Sequence, residues 1–190
     1  MAGTPSAFAA KGPSPITEER RFFSWVAGSS TDPFDHPELC GERVGGEFFL
    51  NVAVTPGQNT VDCVIPAGLP IVGSPGGEFS DFASPPNSRS DASLEAEVAD
   101  LAAGGLTDFM AVLDGQDIAV PLRSTGAFTV AAESGSLIAL VTGGARPVRL
   151  AGRAAMIRID GLSTGAHTLV LSDRIDGELF EMSFNISIVG

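Results

Sequence analysis

From Glu47 to the C-terminus the sequence breaks into short apolar runs, each closed by Gly, Pro, Asn or Asp. That is the pattern of strands and turns. "EFFLNVAVT" (47–55) reads as a strand, "PGQN" as its turn and "TVDCVIP" (60–66) as the next strand. In the second run Val61, Cys63 and Ile65 share one face, and Thr60, Asp62 and Val64 the other. Asp114-Gly115 and Asp176-Gly177 each sit between two apolar runs, a strong local signal for a hairpin. "AGLPIVG", "GAFTVAA", "SLIALVTG", "PVRLAGRAAMIRIDGL", "HTLVLSD" and "ELFEMSFNISIV" read as further extended segments, while "SPGG" and "ASPPNSRSD" read as one long irregular connection. One segment has helical period: in "SLEAEVADLAAGG", Ser93 suits an N-cap, Leu94, Val98 and Leu101 share a face, and Gly104 suits the C-terminal stop. About nine to eleven strands and one helix predict an all-β protein, a β-sandwich or jelly roll with a short helix near residues 93–104.

Residues 1–18 are small, polar and broken by Pro, and read as a flexible N-terminal arm ahead of a single sandwich domain over 19–190. A division into two smaller units would fall around residues 80–105. Within "ITEERRFFSWVAG", Thr17 with Glu18 and Glu19 suits a helical turn, and "SSTDPFDHPELCGER" reads as a loop. Acidic residues outnumber basic ones 23 to 11, for a net charge of −12. Phosphate backbones and anionic lipid repel such a chain, so nucleic acid is excluded as an expected partner. No apolar run is long enough for a membrane span. The start "MAGTPSAFAAKGPSP" lacks the basic and apolar regions of a signal peptide, which fits either an intracellular protein or one whose signal has been replaced.

Two cysteines, Cys40 and Cys63, are too few for a Cys₄ or Cys₂His₂ zinc site. A bond between them would close a loop worth roughly 3.4 kcal/mol in chain entropy. The alternative, a reactive thiol, is disfavoured by Asp62 next to Cys63, because a neighbouring carboxylate raises a thiol pKa. The even count in a Gly- and Pro-rich β chain favours pairing, and pairing favours an oxidising compartment.

His36 sits among Asp32, Asp35 and Glu38 on the Pro-rich loop, and Glu78 and Asp81 lie on either side of Phe79 in the expected connection. Two readings stand side by side. Asp32, Asp35, His36, Glu78 and Asp81 form a candidate ligand or metal loop, or the first three make Asx-turns and Pro-fixed corners. No metal is assigned, no cofactor is expected and no catalytic residue is assigned. "VGSPGG" matches neither a nucleophile elbow nor a phosphate loop. A glycosidase built on Glu78 and Asp81 has few aromatic platforms to draw on, with one Trp and no Tyr.

The order of "RFFSWV", "DHPELCGE", "GGEFFLNVAV", "VDCVIPAGLPI", "MAVLDGQDI" and "GLSTGAHTLVL" resembles a group of uncharacterised exported bacterial β-sandwich proteins. The resemblance spans most of residues 21–190. It implies export, a Cys40–Cys63 disulfide and a sandwich, and it carries no catalytic residue. The run around His167 is similar to the closing strands of immunoglobulin-like modules, which implies that His167 packs at a corner and bonds backbone. The expectation is a non-enzymatic extracellular or cell-envelope protein that binds a protein or glycan surface, with a homo-oligomer as a further arrangement. The alternatives are a virion or surface-layer subunit and a hydrolase using loop carboxylates.

Overall fold

A computed structural model describes residues 15–34, 36–80, 89–104 and 106–190. Strand makes up 50 % of the chain and helix 18 %, which makes the protein all-β with a sandwich-like architecture. The elements in chain order are α1 (Pro15–Gly28), β1 (Gly41–Val44), β2 (Glu47–Leu50), β3 (Gly57–Pro66), β4 (Ile71–Phe79) and α2 (Asp91–Gly104). There follow β5 (Leu106–Leu113), β6 (Gln116–Asp117), β7 (Leu122–Val130), α3 (Leu137–Thr142), β8 (Val148–Ile159), β9 (Gly165–Ile175) and β10 (Glu178–Val189). One sheet has the order β1-β2-β4-β8-β7 and the other β3-β10-β9-β5-β6.

Local chemistry sets the hairpins. Asp114 and Gly115 have φ of 50° and 77°, and Asp176 and Gly177 have 52° and 85°. Positive φ at both central residues is the turn geometry that matches strand twist, so β5 closes on β6 and β9 on β10. β3 instead pairs in parallel with β10 along its length, from Gly57↔Phe180 to Pro66↔Val189.

Alternation then builds two apolar layers. Between the sheets, Leu50, Ile71 and Ile157 meet Ile65, Leu169 and Phe184. On the outer face of the first sheet, Phe22, Phe23 and Trp25 of α1 pack on Phe49, Phe128 and Leu150. Burying each such side chain stabilises the fold by about 1.5–3 kcal/mol. With apolar neighbours on both faces, β8 is buried along most of its length. Its Gly152 lets α1 approach, since a Cβ there would lie 2.8 Å from the ring of Phe23. Charge fixes the same helix: buried Glu47 accepts from Arg21 at 2.5 Å and Arg158 at 2.7 Å, and Arg158 also bonds Glu18.

Several segments differ from the sequence reading. β1 takes residues 41–43 out of the expected loop, and β3 begins at Gly57 inside the expected turn. α2 starts at Asp91, so Ser93 lies within the helix rather than at its cap. The apolar load around Phe22 makes Pro15–Gly28 a full helix rather than one turn, so residues 15–18 of the expected arm belong to α1. Proline is at home in a first turn, where its missing N–H is no loss. "LIALVT", read as a strand, is α3, because Ser136 caps its start and Gly143, in the left-handed region at φ 72°, caps its end. "SPGG" is no loop either: Gly73–Phe79 continues β4. Between Gly73 and Gly76 the strand gains one residue over β8, a bulge that accommodates Pro75. Among the described residues, no helix is long and apolar enough to cross a membrane.

Candidate functional site

The β4 bulge shapes a pocket of about 290 Å³ where α1, β4 and the turn end of the β9–β10 hairpin meet. Its walls are largely apolar and aromatic, with Phe22, Phe23, Phe34, Phe79 and Phe180 among the lining residues. Phe79 is edge-on to Phe23 at 6.4 Å and to Phe34 at 6.5 Å between ring centres. Phe34 stays 42 % exposed, which leaves an aromatic face at the surface.

Two carboxyl groups enter this apolar setting, Glu78 from β4 and Asp173 from β9. Asp173 is only 2 % exposed, and its Oδ2 has no hydrogen-bond partner among the described residues. That oxygen presses on the backbone at Gly76, where no Cβ could fit. The adjacent Ser74 hydroxyl is committed elsewhere, donating to the carbonyls of Ala155 at 2.8 Å and Gly76 at 3.0 Å. Burial, and then the charge of Glu78, pushes the Asp173 pKa up to about 7. Glu78 is also raised, by burial and then by Asp176. A carboxyl desolvated in this way holds its proton until a favourable partner arrives.

The residues singled out from sequence fall in different places. Cys40 and Cys63 form a disulfide, with Cα atoms 5.4 Å apart. Cys40 directly precedes β1 and Cys63 lies in β3, so the bond joins one sheet to the other. Asp32 is fully buried, with Oδ1 accepting from the amide of Phe34 at 2.9 Å and Oδ2 from that of Leu137 at 2.8 Å. It ties the loop to the start of α3. His36 lies near the surface, with Nδ1 3.4 Å from Glu38. Glu78 lines the pocket from a strand rather than from the expected loop. Asp35 and Asp81 lie outside the described residues. Among the described residues, no three His, Cys, Asp or Glu side chains gather to hold a metal ion.

His167 lies at the start of β9, with Nε2 3.0 Å from the carbonyl of Ser163 and Nδ1 2.7 Å from Asp114. Asp114 also accepts the amide of Thr168, so the turn residue fixes the ring and the strand together. The bond to Asp114, and then that to Ser163, raises the His167 pKa.

Sequence reasoning missed Asp173. The available signal was alternation: Leu169, Leu171 and Asp173 share one face of β9, and a carboxylate in an inward series is out of place.

Fold and site together define a two-sheet β protein with a small acidic, aromatic-walled pocket at one end. No protein-family model matches the chain, and no curated protein does. Among solved structures, the solution structure of Amebosin is a neighbour at 13 % identity and a TM-score of 0.18, covering 68 % of this chain and 96 % of that one. A likeness that slight carries no argument.

Proposed function

We propose that the protein is a non-enzymatic, exported β-sandwich of the cell envelope or extracellular space that works by binding, and that its binding site is the pocket around Asp173. The observation that carries this reading is the carboxyl oxygen of Asp173, buried in the pocket wall without a donor among the described residues. Leaving such a group unsatisfied costs about 1–3 kcal/mol, and a ligand that supplies the donor recovers it. The disulfide supports an oxidising compartment, and with it export. The order β3-β10-β9-β5-β6 supports an immunoglobulin-like assignment for the second sheet. There β10, β9, β5 and β6 stand where strands G, F, C and C′ stand in a variable-type domain. The partner is a group on a protein or glycan surface, or a free small molecule, that reaches past Phe34. The test is a thermal-shift screen of the oxidised protein against small amines, sugars and peptides, repeated on Asp173→Ala. A compound that stabilises the wild type and not the variant supports the reading. Compounds that stabilise both equally place binding elsewhere and defeat it.

One observation favours a hydrolase as second reading. Asp173, protonated to about pH 7, stands in the same pocket as Glu78, and two carboxyl groups in one pocket are what glycoside hydrolysis uses. Release of nitrophenol from nitrophenyl glycosides, abolished in both Asp173→Asn and Glu78→Gln, would establish it. No turnover across a panel of such glycosides would remove it.

A further inference from the structure

We infer that the pocket takes a small organic cation, an ammonium group carried on a compact apolar body. This rests on the pocket being the binding site and names what it binds. Four features point the same way. The ionisable side chains lining the pocket, among the described residues, are Glu78 and Asp173, both acidic, and no basic side chain lines it. Asp173 is 2 % exposed, and no described residue supplies a partner to its Oδ2. The Ser74 hydroxyl in the same wall is unavailable, because its one proton is already shared between two carbonyls. The recess is built for that carboxyl: a Cβ on Gly76 would lie 2.0 Å from Oδ2 and 2.6 Å from Cγ of Asp173.

The walls decide what kind of cation fits. An inorganic ion such as Ca²⁺ takes six to eight oxygen ligands, and here no third ligating side chain joins the two carboxylates among the described residues. Aromatic faces, in contrast, attract ammonium groups and pack against their carbon skeletons. Phe22, Phe23, Phe34 and Phe79 are among the residues that line the pocket. A volume of about 290 Å³ lies at the small end of ligand pockets, which run from roughly 300 to 1,000 Å³. That suits one small amine. A neutral ligand would gain the apolar walls but leave two acidic groups facing each other uncompensated.

The experiment is isothermal titration of the oxidised 190-residue protein at pH 8 with benzylammonium and with its neutral isostere, benzyl alcohol. The expected result is at least tenfold tighter binding of the amine. That preference should collapse in Asp173→Asn and weaken in Glu78→Gln, with thermal melts showing both variants folded. Benzyl alcohol binding as tightly as the amine overturns the cation assignment and leaves the binding pocket standing. Failure of both probes at millimolar concentration overturns the pocket reading as well. Amine binding that neither substitution alters places the cation elsewhere and overturns the inference. So does calcium chloride binding where the amine does not.

Discussion

A side chain at Gly76 and the carboxyl of Asp173 cannot coexist: the Cβ would fall 2.0 Å from Oδ2. The β4 bulge and the acid on β9 are therefore one fitted unit. Gly76→Ala should lower stability by about 1–3 kcal/mol, the usual range for overpacking. Asp173→Ala in the same chain should recover most of that loss. Urea denaturation of the two single variants and the double variant measures the coupling, and additive losses would contradict it.

The raised pKa of Asp173 gives stability a definite slope with pH. The folded carboxyl keeps its proton up to about pH 7, whereas an unfolded Asp titrates near 3.9. Between those values the folded state binds the extra proton, so this group's contribution falls as pH rises from about 4 to 7, and is level above. Glu78 is shifted in the same direction. Denaturation midpoints of the wild type and Asp173→Asn at pH 5 and pH 8 isolate the effect. The variant should gain relative to the wild type at the higher pH.

Glu47 titrates with the opposite sign. Burial works to raise its pKa, but bonds from Arg158 and Arg21 prevail and hold it below the ordinary carboxylate range. Its contribution is therefore present above the unfolded pKa and lost as pH falls through the folded one. Arg158→Met should destabilise the protein by about 3 kcal/mol, because it leaves Glu47 buried without one of its two cations. That figure is the low end for a buried pair, since the Arg158 side chain is still 24 % exposed. A loss below about 0.5 kcal/mol in guanidinium titration would mean the network is a surface one in energetic terms.

Replacing both cysteines in Cys40→Ala/Cys63→Ala should lower stability by about 3 kcal/mol, from the loop the bond closes and the packing of the buried Cys63. The wild type measured in reductant should approach the same value. A difference of less than 1 kcal/mol between oxidised and reduced wild type would contradict it.

How much of this could be read in advance depended on how local the cause was. The Asp-Gly turns were legible because two adjacent residues determine them, and the even cysteine count pointed to the bond that exists. α3 was not: a six-residue apolar run has no resolvable period, and its caps and the tether from Asp32, 105 positions away, decide the outcome. "SPGG" carries turn residues, yet pairing with β8 overrides them and the surplus residue becomes a bulge. The site was half visible. Glu78 was singled out as an acid near an aromatic, but its partner Asp173 reaches it only through the packing of two sheets.

The disulfide joins the two sheets beside one wall of the pocket, since Cys40 is hydrogen-bonded to Asn51, next to the lining residues Val52 and Ala53. Along β10, Cys63 is level with Ile186 and Asp173 with Phe180, six positions or about 20 Å apart. The bond is a covalent clasp between the two layers. The layers therefore cannot part or slide past one another at Cys63 while that bond stands.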